Sequence, residues 1–261
     1  MTPCRALLPL FAILMFPGTG GLRAQTRLGV AFYDTDHLYD TVPALFYNDE
    51  KYTPDGELHW TAARYDRKIA AIASVIDSLG MPLVGLAGVE NEQVVRDLAA
   101  RCTAPYCYLH RTLNTLDGLD LALLYYGDLF VPGRIETGWG YLLVEGELAG
   151  RPVAIVLSRQ SRFVPGLLEE LRERQPGVPL LAMGRTETVA PARFGLRDAL
   201  RRAERVGRGN VRSRSGWRMR DRILIDTALQ EVPGVTTYST GVDPNLSLIH
   251  ISEPTRHAQI S

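Results

Sequence analysis

Residues Leu83–Asn91 read LVGLAGVEN, an apolar run that ends on an acid and an amide. A short run of this kind is typical of a strand buried on both faces of a sheet. The preceding residues, Trp60–Leu79, carry apolar side chains at helical spacing and are followed by Gly80, which favours a helix ending there. A second helix is predicted directly after the strand, over Glu92–Arg101. A buried strand between two helices indicates an α/β fold.

The same alternation extends along the rest of the chain. Two apolar runs meet at the turn Ala149-Gly150, which predicts an antiparallel hairpin, so we expect mixed sheets covered by helices. No linker or repeat divides the chain, which favours one domain. The predicted strands are Leu28–Tyr33, Pro82–Leu86, Leu119–Tyr126, Tyr141–Glu147, Val153–Leu157, Leu180–Met183 and Arg222–Ile225, and the further helices are Gly166–Arg174 and a basic helix at Arg193–Val206.

The two ends of the chain do not read as parts of this domain. Residues 1–25 contain the short apolar run Ala6–Phe16 and then Ala24, which predicts a cleaved secretory signal peptide, with a membrane anchor as the alternative. Leu246–Arg256 reads LSLIHISEPTR and resembles a translated sequencing adapter, so residues 246–261 are predicted to be a cloning or assembly artefact. The folded domain is expected over 26–245, incomplete at its C-terminus.

Composition excludes several classes of protein. The chain has 261 residues and no formal net charge, and 46% of its residues are hydrophobic and 22% charged. These values exclude a disordered tail, a collagen-like fibre, a disulfide-dense miniprotein and a wholly basic nucleic-acid binder. Arginines concentrate in 193–222, which suits contact with a phosphate backbone and suits a solvated helix face equally well.

The cysteines and histidines of the domain show no metal-ligand spacing. Cys102 and Cys107 are separated by four residues, and in an exported protein this even count supports a disulfide, with two free thiols as the alternative. Two thiols without a nearby histidine pair do not make a zinc site. A capping or surface role is expected for each of His37, His59 and His110.

Several short motifs identify a family resemblance through their order. They are Tyr33–Asp40 (YDTDHLYD), Tyr52–Trp60 (YTPDGELHW), LVGLAGVEN itself, Thr115–Tyr125 (TLDGLDLALLY), Ser161-Arg162, Met183–Thr188 and Trp217–Ile225. Together they resemble the endonuclease/exonuclease/phosphatase superfamily, and within it a secreted bacterial branch. The resemblance covers nearly all of 28–226. It implies a deoxyribonuclease I-like four-layer sandwich, with two mixed β-sheets packed face to face and helices outside.

Members of this superfamily hydrolyse phosphate esters with a divalent metal, usually Mg²⁺, which stabilises charge on the transferring phosphoryl group. Only some of the family's metal-binding and catalytic residues have counterparts in this sequence. The metal-binding Glu of the family falls on Gly88, and the Asp and Asn of its G-D-F-N motif fall on Arg185 and Glu187. An Asn of the first motif falls on Asp34. The positions that keep the family's residue types are Asp120, Arg162, Trp217 and Asp221.

From the resemblance, Asp120, Asp221 and Arg162 are vestigial catalytic residues, and no metal site is expected. The substrate-binding residues it implies are Asp34, Arg185 and Glu187. Because a guanidinium stays charged and repels a divalent ion, Arg185 is predicted to occupy the space of the metal and to pair with Asp34, Asp221 or Glu187. A surface arginine at a strand end is the alternative. The oxygen donors left for a weak calcium site are Asp34, Asp36, Asp40 and Glu90.

Three functions are open on this sequence. The first, which we expect, is an exported, degenerate phosphoesterase with little or no activity and no cofactor, retained in the periplasm or outside the cell to bind a phosphate-containing ligand. The second is an active divergent phosphodiesterase or endonuclease that uses Mg²⁺. The third is a non-catalytic interaction module on the same fold. Nucleic acid stays open as a partner, no transmembrane segment is expected after signal cleavage, and the oligomeric state is not determined.

Overall fold

The computed structural model describes residues 10–15, 27–213 and 216–231. Its helices are α1 (Ala62–Leu79), α2 (Glu92–Arg101), α3 (Val164–Arg174) and α4 (Arg201–Arg205). Its strands are β1 (Leu10–Met15), β2 (Arg27–Leu38), β3 (Leu83–Val89), β4 (Cys107–Arg111), β5 (Asp120–Tyr125), β6 (Phe130–Gly138), β7 (Tyr141–Leu148), β8 (Arg151–Ser158), β9 (Leu180–Arg185), β10 (Leu196–Asp198), β11 (Val211–Ser213), β12 (Gly216–Arg218), β13 (Asp221–Asp226) and β14 (Gln230–Glu231). Within the predicted signal peptide only β1 is described, and the predicted artefact 246–261 lies outside the described residues.

Two six-stranded mixed sheets make up most of the fold. Their strand orders are β14-β1-β2-β3-β5-β4 and β10-β13-β9-β8-β7-β6, and β11 and β12 form a separate ribbon. The parallel pairs are β2 with β3 and β8 with β9, and each is joined through a helix, α1 or α3, as parallel neighbours require. This arrangement confirms the predicted α/β class with mixed sheets.

Three apolar clusters separate four layers. The cluster between the sheets contains Phe32, Leu123, Leu157 and Ile223, all 1% exposed or less. A second cluster packs α1 and α2 against the outer face of the first sheet, and a third packs α3 against the second sheet. The layers are therefore helix, sheet, sheet and helix, as the resemblance implied. None of the helices in the described part of the chain has the length and hydropathy to cross a bilayer.

The predicted hairpin is confirmed and the predicted basic helix is wrong. Ala149 and Gly150 join β7 to β8 with φ values of 51° and 73°, the left-handed conformation that a tight hairpin turn requires. In place of a helix over Arg193–Val206, the chain forms a 3-10 turn, β10 and only the short α4. Gly195 ends the turn with φ 65°, and Leu196 is then buried by pairing β10 with β13.

The predicted disulfide between Cys102 and Cys107 is wrong, because both residues are free thiols. Cys102 ends α2, where its backbone N–H donates to the Leu98 carbonyl and its side chain packs beside the α1–α2 cluster. Cys107 begins β4 and is exposed. Burial, with a smaller contribution from Asp77, raises the pKa of the Cys102 thiol to about 12, which disfavours the thiolate that disulfide exchange needs.

Candidate functional site

The candidate site lies where strand ends of the two sheets meet. Asp34 lies in the bulged outer part of β2 in the first sheet. Arg185 ends β9 and Asp221 begins β13, and these two residues are directly opposite each other in the antiparallel register of the second sheet. The structure thus brings three of the predicted site residues to one edge of the sandwich.

Arg220 links the carboxylates of this edge across the two sheets. Its Nη2 donates to Asp34 Oδ2 at 2.9 Å, and its Nε donates to Asp221 Oδ2 at 3.4 Å. The side chains of Asp34 and Asp221 are 15% and 3% exposed, so this is a largely buried ion-pair group. The sequence predicts that Arg185 makes these ion pairs, whereas in the structure Arg220 makes them.

Arg185 lies beside the same carboxylates without bonding to them. Burial lowers the pKa of its guanidinium, Arg220 and Arg159 add to the lowering, and Asp221 and Asp34 oppose it. Within the described part of the chain, its guanidinium makes no hydrogen bond and no ion pair within 4 Å. The N–H donors of the Arg185 guanidinium are therefore unused by the described residues.

Arg159 follows β8 and adds a third guanidinium. It makes a two-pronged ion pair with Asp117, Nη2 to Oδ2 at 2.8 Å and Nη1 to Oδ1 at 3.1 Å, and also donates to the Leu119 carbonyl. Burial alone would raise the pKa of Asp117, but the bonds and charge of Arg159 lower it to about 2. Since Asp117 precedes β5, this pair also joins the two sheets.

Asn210 fixes the backbone at Arg220 and Asp221 through hydrogen bonds. The buried Asn210 amide donates to the Asp221 carbonyl at 2.7 Å, and its oxygen accepts from the Arg220 backbone N–H at 2.8 Å. Burial raises the pKa of the Asp221 carboxyl to about 6, Asp34 adds to the rise, and Arg220 and Arg185 oppose it. Protonation of this carboxyl is therefore easier than that of an exposed aspartate.

The residues present do not fit the divalent metal that the resemblance implies. Gly88 has φ 78° at a bulge between β3 and β5, and a Cβ there would lie 3.0 Å from Asp34 Oδ1. A side chain at this position would therefore be strained and crowded against Asp34, and Arg220 already engages Asp34 and Asp221. Across the described ranges, no three His, Cys, Asp or Glu side chains converge as metal ligands.

The carboxylates that the sequence offers as calcium ligands are bonded to other groups of the protein instead. Asp36 Oδ1 contacts the His37 ring at 2.9 Å, and Glu90 accepts from Tyr47 Oη at 2.9 Å and from the Asp40 backbone N–H at 2.6 Å. Burial raises the pKa of Glu90 to about 7, while the hydrogen bonds that it accepts from the Asp40 backbone and from Tyr47 oppose the rise. These carboxylates therefore stabilise the local fold through hydrogen bonds.

A buried lysine fixes the bend that follows Asp34. Asp36 and His37 have φ values of 52° and 65°, and Lys68 Nζ donates to their carbonyl oxygens at 2.5 Å and 2.9 Å. Burial lowers the pKa of Lys68 to about 8, while Asp36 and Asp34 oppose the change. Lys68 therefore positions the acidic end of β2.

Three predicted site residues lie apart from the ion-pair group. Both Asp120 oxygens are engaged, one by His110 Nε2 at 3.0 Å and one by the Leu113 backbone N–H at 2.8 Å. His110 is 9% exposed, so the surface role expected for it is wrong. Arg162 is exposed over the Phe163 ring, and Glu187 is exposed after β9. No contact between described residues brings these two to Asp34 or Asp221.

Sequence reasoning missed Arg220, Arg159 and Asn210. Arg220 directly precedes Asp221 in the Trp217–Ile225 motif, and Arg159 directly follows a predicted strand, so both stood at strand ends. Their neighbours across the sandwich come from segments far away in the chain. Only the packing of the two sheets shows that these arginines meet Asp34 and Asp117.

Comparison with known proteins supports this architecture. Residues 29–157 match the profile of a family described as "Endonuclease/Exonuclease/phosphatase family". No match was found among curated proteins.

Three solved structures share the fold at low identity. A conserved protein of unknown function from Enterococcus faecalis is 15% identical, with a TM-score of 0.52, over 76% of this chain and 86% of that one. A mannosyl-6-phosphatase from Bacteroides thetaiotaomicron is 14% identical, with a TM-score of 0.50, over 76% and 85%. An endonuclease/exonuclease/phosphatase family protein from the same organism is 13% identical, with a TM-score of 0.50, over 76% and 82%.

Proposed function

Because the chain belongs to the endonuclease/exonuclease/phosphatase family, we propose that it is an exported, degenerate member that binds a phosphate group and has little or no hydrolytic activity. The observation that carries this proposal is that Arg220 donates hydrogen bonds to the carboxylates of Asp34 and Asp221. Carboxylates already paired with a guanidinium are poor ligands for a divalent cation.

The same arrangement favours binding of an anion. Guanidinium N–H donors match the oxygen geometry of phosphate, and a partly buried guanidinium is more weakly hydrated than an ammonium. Arg185 supplies donors that no described residue uses, and Arg220 and Arg159 add positive charge beside it. A phosphate group bound to Arg185 would offset the mutual repulsion of these arginines.

Hydrolysis also needs an activated nucleophile, and the described residues offer none at this edge. The His110–Asp120 pair is a candidate for proton transfer, but it is buried, with side chains 6% and 3% exposed. Asp221 is enclosed by Arg220 and Asn210. This supports binding without turnover as the role of the site.

Hydrolysis of an activated phosphodiester tests the loss of activity. With Mg²⁺ or Mn²⁺ present, we expect the purified chain to show no turnover above that of its Asp221→Asn variant. Metal-dependent turnover that Asp221→Asn abolishes would overturn the proposal and establish the active alternative.

Calorimetric titration with inorganic phosphate tests the binding role. Arg185→Gln should weaken phosphate binding at least about tenfold, because a charge-assisted contact contributes roughly 1.5–3 kcal/mol. Arg193→Gln is the matched control, since Arg193 is exposed at the surface and, among the described residues, forms its ion pair with Glu169. Equal affinities in both variants and the unchanged chain would contradict the proposal.

The proposal of export rests on the signal-like residues 1–25. Expression of the full chain in a bacterial host, followed by cell fractionation and intact mass measurement, tests it. We expect periplasmic or secreted protein cleaved near Ala24. Uncleaved protein confined to the cytoplasm would contradict it.

A further inference from the structure

Most of the large apolar side chains that are exposed lie around the arginine site. Among the described residues, exposed side chains of this kind occur on three loops and one short strand at the site edge and at two other places, Val131 and Val206. Those at the site edge, with their exposed fractions, are Val42 (66%), Leu45 (89%), Phe46 (94%), Leu116 (98%), Trp139 (74%) and Trp217 (38%). We call these six residues the apolar rim.

Two loops bring the first part of the rim beside Arg159. Leu116 directly precedes Asp117, which is paired with Arg159. Phe46 directly precedes Tyr47, whose ring packs so closely against Gly118 that a Cβ there would lie 2.3 Å from it. The tips carrying Phe46 and Leu116 are therefore neighbours, and both flank an arginine of the site.

A turn and a short strand carry the two tryptophans of the rim. Trp139 lies in the turn between β6 and β7, which is held to the end of β8 because the Arg159 backbone N–H donates to the Gly140 carbonyl at 2.7 Å. Trp217 lies in β12, in the segment that leads to Arg220. Each residue of the apolar rim is thus close in sequence to Arg220 or to a residue that contacts Arg159, or belongs to a loop that packs beside such a residue.

We propose that the apolar rim inserts into a membrane surface while the arginine site takes the phosphate of an anionic phospholipid headgroup. This inference rests on the proposed phosphate site and assigns that site its ligand class. Solvent-exposed Leu and Phe side chains at loop tips cost free energy in water that is recovered in acyl chains. Tryptophan side chains favour the interface between headgroups and acyl chains.

Arg185 gives this surface the positive group that an anionic headgroup requires, since Arg159 and Arg220 are already paired with Asp117, Asp34 and Asp221. A bilayer places phosphate groups directly above apolar chains, so one surface meets guanidiniums and aliphatic tips at the same time. The rim comes from separate loops around Arg159, Arg185 and Arg220, which matches that layered arrangement. A protein partner would have to provide phosphate within an apolar ring, so phosphate binding without vesicle binding is the outcome that would favour a protein over a membrane.

Co-sedimentation of the chain with phosphatidylcholine vesicles, with and without phosphatidic acid, tests the inference. We expect binding that requires phosphatidic acid and that Phe46→Ser/Leu116→Ser weakens at least about tenfold, because each side chain loses its burial in the bilayer. Val206→Ser is the matched control, since Val206 is 69% exposed and lies after α4, outside the rim. The control should bind like the unchanged chain.

The titration with inorganic phosphate separates failure of this inference from failure of the proposed function. If the chain binds inorganic phosphate but not the vesicles, or if the rim variant binds vesicles normally, the membrane inference is overturned and the phosphate site stands. Vesicle binding that Arg185→Gln leaves unchanged overturns the headgroup assignment. If neither inorganic phosphate nor vesicles bind, the proposed function fails first.

Discussion

Arg220 and Arg185 are close to the same two carboxylates but contribute to the fold in opposite ways. Arg220 donates to Asp34 and Asp221, and so compensates two charges that would otherwise be buried without a partner. Arg185 makes no such bond, and burial together with Arg220 lowers the pKa of its guanidinium, which means that its charged form is disfavoured in the folded state. The charge of Arg185 is therefore held at a cost to stability, as at many binding sites.

This difference predicts that Arg185→Gln stabilises the chain. Removing the disfavoured charge should raise the melting temperature by roughly 2–4 °C, as about 1 kcal/mol does in a domain of this size. Thermal unfolding followed by circular dichroism measures the change, with Arg193→Gln as the exposed control. A lower melting temperature for Arg185→Gln would mean that Arg185 supports the fold as Arg220 does.

The raised pKa of Asp221 predicts a pH-dependent anion affinity. Its carboxyl titrates at about 6 in the folded chain against 3.8 in the unfolded one, so protonation removes a negative charge from the site as pH falls through 6. Sulfate, whose own charge stays constant here, should bind several-fold more tightly at pH 5 than at pH 7 (about 1 kcal/mol). The change should vanish in Asp221→Asn.

Protonation of Asp221 also determines the direction in which the stability of the fold changes with pH. Because the folded pKa of Asp221 lies above the unfolded value, its contribution to stability is fully present below about pH 4 and is lost as pH rises to 6. Calorimetric titration and unfolding of one preparation across this range measure both effects. Sulfate affinity that is flat with pH would contradict the assignment of Asp221 to the anion site.

At the scale of elements, Gly88 shows why the sequence predicted the strand but not its shape. The sequence predicted a strand over Pro82–Leu86, and β3 formed over Leu83–Val89. The bulge at Gly88 depends on its pairing with β5 and on contact with Asp34, neither of which has a local signal. For the same reason β4 and β6, whose sequences show weak alternation, were not predicted, and Gly195 was not recognised as the end of a turn.

Gly88→Ala is expected to destabilise the chain by about 1–2 kcal/mol, since an L-residue at φ 78° is strained and its Cβ would approach Asp34 Oδ1. Gly166→Ala is the matched control, because Gly166 lies in α3 and a methyl group added there would meet nothing within 4 Å, so alanine should stabilise by up to about 1 kcal/mol. Urea unfolding compares the two. Equal effects would show that the bulge at Gly88 relaxes without strain.

At the scale of the whole molecule, two arginine pairs close one edge of the sandwich. Arg220 connects β13 of the second sheet to Asp34 of the first, and Arg159 connects the end of β8 to Asp117 before β5. Sequence motifs in the correct order were sufficient to predict four layers and to bring Asp34, Arg185 and Asp221 to one edge. They did not reveal which arginine bonds which carboxylate, because that depends on how the two sheets pack, and Arg220 and Asp34 are far apart in the chain.

The two arginine pairs should contribute different amounts to the free energy of unfolding. Arg220→Gln leaves Asp34 and Asp221 without their cation in largely buried positions, which should cost about 3–5 kcal/mol. Arg159→Gln removes the cation from Asp117, which is 45% exposed and regains water, so about 1 kcal/mol is expected. Urea unfolding gives both values, and hydrogen exchange should show faster opening at the end of β2 in Arg220→Gln only. If the two variants lose equal stability, the buried Arg220 group is not the principal link between the sheets at this edge.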